Sequence, residues 1–201
     1  MSITSFSELK TAVADWMNRD DLSDARITDF IDIATNRIFH VLRIPAMEKF
    51  VAITVDSNGK IALPSDFLEA KDVLFNDKPL ERISLTEFYS RGISQGQPIA
   101  FSRESEYLRL SPNPGNVAGM KMIYYAEPPR LSSTVTTNEV FSIAPELYLY
   151  GALVAAGTYL GSPVEKMQIW SESFNDTMQR MTDHARQAEV SGSTNTVASG
   201  Y

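Results

Sequence analysis

The residue types that do chemistry are sparse in this chain. Two histidines, His40 and His184, stand far apart in the 201 residues, and there is no cysteine. Without thiolates or a His-x-x-x-His spacing, they do not compose a metal site. Asp29 and Asp32 are three apart and share a helix face. Paired carboxylates can bind a divalent ion or move protons, but a solvated helix face carries such pairs too, and that reading is preferred. Asp56-Ser57-Asn58-Gly59 resembles the start of a calcium loop, yet the remaining ligands and the closing Glu are missing, so a hairpin turn accounts for it. Gly92, Gly96 and Pro98 mark a mobile loop rather than a phosphate cradle, since no Gly-Lys-Ser/Thr follows. Asn175-Asp176-Thr177 matches a glycosylation acceptor but falls inside a helical pattern in a chain that begins MSITSFSELK, which has no basic or apolar signal region. The expectation is a protein with no catalytic residues, no metal and no cofactor.

Aromatic residues offer one further kind of chemistry. Tyr124-Tyr125 and the series Tyr148, Tyr150, Tyr159 could stack on bases or sugars. Tyrosines in strands and packed helices more often contribute core with a polar tip, and Met167, Met178 and Met181 read as core in the same way.

The elements that must position these residues follow from periodicity. Residues 5–19 keep a helical stripe of Phe6, Leu9, Val13, Trp16 and Met17, with a capping-box spacing from Ser5 to Glu8. Residues 23–43 keep another of Ile27, Phe30, Ile31, Ala34, Ile38 and Leu42, stopped before Pro45. The pattern turns extended at Met47. KFVAITV (49–55) and KIALP (60–64) flank the DSNG turn. KDVLF (71–75) is another strand, SLTEFYSRG (84–92) a short helix, and PIAFSRE (98–104) with YLRLSP (107–112) a hairpin. MKMIYYAE (120–127) ends at Pro128-Pro129. Helical spacing returns in 145–161, with Pro145 in its first turn and Gly161 at its end. It continues in 162–190 along Val164, Met167, Trp170, Phe174, Met178 and Met181.

Two helices precede the strands and two follow. The expected fold is α+β: a helical bundle from both chain ends (1–46 and 138–189) and an inserted antiparallel β domain (47–137), barrel- or sandwich-like. An extended C-terminal tail (190–201) completes it. A chain this long buries about 70% of its unfolded surface and needs no disulfide staple. The longest apolar stretch, 147–161, is too short to span a membrane. The net charge of −7 disfavours a general basic grip on nucleic acid.

Four stretches in this order resemble the head–tail adaptor proteins of tailed bacteriophages, particularly the tail tubular protein A type of short-tailed phages. They are ITDFIDIATNRIFHVLRIPAME (27–48), IALPSDFLEAKDVLF (61–75), QPIAFSRESEYLRLSPNPG (97–115) and MIYYAEPPRLSSTVTTNEVFSIAPELYLYGALVAAGTYL (122–160). The resemblance implies a non-enzymatic virion protein, assembled in the bacterial host cytoplasm, with no membrane partner. It implies a ring, usually a dodecamer, that joins the portal to the tail nozzle and passes DNA through its channel. An acidic protein suits that passage, because strong phosphate contacts would retard the DNA.

On this reading, the loop around Arg91, Ile93, Gln95 and Gln97 meets the nozzle or a neighbouring subunit, and the tail reaches the portal. The tail is poor in apolar surface and cannot offset its own ordering entropy, so it needs a partner. Thr194 and Thr196 favour an extended backbone. There Val197, Ser199 and Tyr201 share a face, with Val197 and Tyr201 about 13 Å apart. Two readings compete: a β-domain module that binds protein or carbohydrate through Tyr124 and Tyr125, and an enzyme using Asp29 and Asp32 with a divalent ion.

Overall fold

The computed structural model describes residues 3–19 and 21–191. They divide into two units: Glu48–Glu127, and the residues before and after that segment.

The helical unit opens with α1 (Phe6–Met17) and α2 (Asp24–Val41). Ser5 and Ser23 cap them, each side-chain oxygen accepting a backbone N–H from three residues on. Every residue of the α2 stripe is buried, from Ile27 to Leu42. In α1 the burial ends at Val13, and Trp16 stands half out, its ring edge-on to Tyr150 at 5.8 Å. A single 3-10 turn, Pro45–Met47, follows α2.

The chain re-enters this unit at Pro128. Residues 128–137, counted with the insert by periodicity, are held here: Leu131 is buried, and Phe6 N donates to Thr136 O at 2.9 Å. The stretch is irregular, with Ser132 N donating to Val135 O at 2.8 Å across a turn, and it pairs with no strand of either sheet. Next come a short helix α4 (Glu139–Ile143), α5 (Pro145–Leu160) and α6 (Val164–Ser191); α3 (Leu85–Ser90) lies in the other unit.

The buried helix α5 shows little polarity on any side, and small residues let its neighbours close in. A Cβ on Gly151 would lie 2.7 Å from Ala34 Cβ and 3.0 Å from Phe174 Cε2; one on Gly157 would lie 3.0 Å from Trp170 Cζ3. These approaches run α5 and α6 antiparallel. Along α6, Trp170 and Met178 are buried, whereas Val164, in its first turn, is exposed.

The β unit holds two four-stranded sheets. One has the order β1 (Glu48–Ala52), β8 (Met120–Ala126), β3 (Phe67–Phe75), β4 (Lys78–Pro79). The other runs β2 (Lys60–Ala62), β7 (Tyr107–Ser111), β6 (Ala100–Glu104), β5 (Glu81–Arg82). Both sheets contribute to one core, with Val73, Met122 and Tyr124 from the first and Ile61, Phe101 and Leu108 from the second, as in a sandwich. The β6–β7 hairpin forms as expected. The DSNG segment does turn, since Asp56 N donates to Lys60 O. Its flanks do not pair with each other, however: β1 joins β8 and β2 joins β7. The turn therefore carries the chain from one sheet to the other. The pairing of β5 with β6 is parallel. Helix α3 (Leu85–Ser90), capped by Ser84, packs Phe88 against this sheet.

Candidate interaction surfaces

The groups that could do chemistry do not converge. His40 and His184 are exposed. Asp29 forms an ion pair with Arg26 at 3.4 Å on the surface of α2. Among the described residues, no three His, Cys, Asp or Glu side chains gather as metal ligands would. Asp56 Oδ1 accepts the backbone N–H groups of Asn58 and Lys60, both at 2.8 Å. Those donors, Lys60 foremost, hold its carboxyl below the usual range. The carboxylate therefore orders a turn, as the missing calcium ligands implied.

Tyr124 is no stacking platform. It is 2% exposed, its ring lies against Phe67 at 5.7 Å, and its hydroxyl donates to Asp66 Oδ1 at 3.0 Å. Burial, then that hydrogen bond and the carboxylate charge, push the phenol up to about 12. In a strand, Tyr125 points to the opposite face, so the two rings cannot form one surface. Tyr148 is likewise buried, with its hydroxyl on Asn138 Oδ1 at 3.3 Å.

Among the described residues, two exposed apolar surfaces bear on partner binding. In the β unit, α3 and the segment after it expose Leu85, Tyr89, Ile93 and Ile99, with Ile93 at 69%. A six-residue helix has room to bury one apolar side chain, and Phe88 takes that place, leaving Leu85 and Tyr89 together on another face. The Leu85–Tyr89 spacing was the signal available in sequence. Arg91, Ile93, Gln95 and Gln97 all lie on the exposed stretch. Arg91 bonds Glu87 at 2.6 Å and Glu81 at 3.3 Å. The loop expected to be mobile is strapped down instead: Asn113 N donates to Ser94 O at 2.8 Å, and Gly96 N donates to Asn113 O at 3.0 Å. Gly96 serves a backbone ladder with 111–113, which residue composition does not reveal.

In the helical unit there is a groove of about 480 Å³. It arises from unequal helix lengths. Helix α6 has 28 residues and α5 has 16, so at ~1.5 Å per residue α6 is about 18 Å longer. Among the described residues, its last turns run past the start of α5 and lie beside the Pro45 turn, the end of α4 and Glu146. Met181, Ala185 and Ala188, spaced four and three apart, face Ile44, Ala46 and Ile143 across the gap. Ile143 is 58% exposed. The rim is polar, with Glu146, Arg180 and His184. Arg180 is already engaged, at 3.1 Å from both Asp176 and Thr177.

The tail residues Thr194, Thr196, Val197, Ser199 and Tyr201 lie outside the described residues. No helix among the described residues is long and apolar enough to cross a membrane. In comparisons with known proteins, residues 4–198 match the family described as SU10 adaptor protein. No curated protein matches the chain.

Proposed function

Since the chain belongs to the SU10 adaptor protein family, a family of bacteriophage structural adaptors, we propose that it joins the portal to the tail nozzle as a ring of identical subunits. The observation that carries this is the family match across 4–198, which takes in both units of the fold and most of the tail. The sequence resemblance to the tail tubular protein A type supports a short-tailed virion and a twelve-fold ring. DNA passes through the channel, and the acidic balance of −7 keeps phosphates from sticking there.

In this reading the two units divide the labour. The helical units pack side by side around the ring. The β unit offers Leu85, Tyr89, Ile93 and Ile99 to the nozzle or to a neighbour, with Arg91, Gln95 and Gln97 beside them. Four exposed apolar side chains within fifteen residues make a patch of the kind that interfaces use. The tail reaches the portal in extended form, with Val197 and Tyr201 seated in two shallow pockets. A single tail binds weakly, because ordering costs about 1–2 kcal/mol per residue. A ring of tails gains from effective concentration once the first has docked. Deleting 190–201 tests the tail. The truncated chain is expected to lose portal binding; docking with unchanged affinity overturns this assignment.

A further inference from the structure

The groove beside α6 is built for an apolar occupant, and the fold leaves one chain segment next to it. We propose that, in the free protein, residues 192–201 of the same chain fold back and occupy this groove, covering Ala46, Ile143 and the Met181 side of α6.

Position is the first argument. Ala188 is part of the groove wall and lies three residues before Ser191, the last described residue of α6. The following residue is Gly192. Glycine enters, at no steric cost, the left-handed conformation in which a chain can reverse direction. Reach is the second. From Thr177 to Ala188 the groove follows α6 for about 16 Å. Ten residues span up to roughly 33 Å when extended, so the segment covers the groove without being stretched.

Composition is the third. Residues 192–201 carry no charged side chain, so no ion is stripped of water by entering an apolar groove. Val197 and Tyr201 supply apolar bodies, and the Ser, Thr and Asn residues can face the polar rim at Glu146 and His184. Such a seat is weak, since ordering the segment offsets most of what two side chains gain. A weak seat suits a segment that a partner must later take away: the groove keeps the tail from binding elsewhere and is uncovered when the tail leaves. The seat belongs to the free chain; it rests on the portal reading only for what displaces the tail.

The chain has no cysteine, so a double-cysteine variant contains a single thiol pair. The test compares Ile143→Cys/Val197→Cys and Ala46→Cys/Val197→Cys with Gln179→Cys/Val197→Cys. Gln179 is exposed on α6 and does not line the groove, so its pair measures tethering alone. In dilute full-length protein, both groove pairs are expected to form the intramolecular disulfide at least roughly tenfold faster than the control, as a docked segment raises effective concentration. Equal rates overturn the proposal. Disulfide-linked dimers that grow with protein concentration also overturn it, by assigning the groove to the tail of a second copy. Because portal is absent, failure here leaves the portal assignment intact, and the converse holds.

Discussion

Single polar residues in both units carry more than their local share. Asn138 is 6% exposed. Its Oδ1 caps α4 by accepting Phe141 N at 2.8 Å and also receives the Tyr148 hydroxyl, while Nδ2 donates to Pro129 O at 2.8 Å. One side chain thereby ties the re-entry segment to α4 and α5. Asn138→Ala is expected to cost about 2–3 kcal/mol in chemical denaturation, from a lost cap and buried groups left unpaired. Tyr148→Phe, which leaves the cap in place, should cost about 1 kcal/mol. In the β unit, Tyr124 gives a pH signature. Its phenol titrates at about 12 when folded and near 10 when unfolded. Its raised value stabilises the fold in full below pH 10, and the contribution is lost as pH climbs from 10 towards 12. Denaturation midpoints of the wild type should fall across that interval, and those of Tyr124→Phe should fall less. Parallel curves would remove Tyr124 from the account.

Elements were legible in the sequence where periodicity had one cause. The α2 stripe was readable residue by residue because a single buried face sets it. The β6–β7 hairpin was readable because a local turn closes it. The partners of β1 and β2 were not, since a turn of the same sequence can close a hairpin or pass between sheets, and long-range pairing decides which. The loop 93–98 looked mobile because its tie to 111–113 uses backbone atoms alone, which side-chain types do not report. The α6 groove escaped notice because it depends on α6 outrunning α5, a difference visible only once the two are antiparallel. Helix α5 allows a direct test. Gly151→Val would drive methyl groups into Ala34 and Phe174 and is expected to cost about 1–3 kcal/mol or more. The exposed α3 segment predicts the opposite behaviour. Ile93→Asp should leave the melting temperature within about 1 °C, since surface changes are usually small, yet weaken assembly with the nozzle or with neighbouring copies.

At the scale of the molecule, two units made from one nested chain belong to an adaptor that meets other virion components. Among the described residues, neither unit gathers a cluster of metal-ligating side chains, and each leaves large apolar side chains exposed, Ile93 in one and Ile143 in the other. The family match identifies a virion adaptor; the ring and its partners form the central claim. The direct measurement is sedimentation of the purified full-length chain, alone and mixed with the assembled portal of the same virion. The account predicts a complex carrying many copies of the chain per portal, whether or not the chain alone is monomeric. Portal and chain sedimenting separately at concentrations well above micromolar would contradict it.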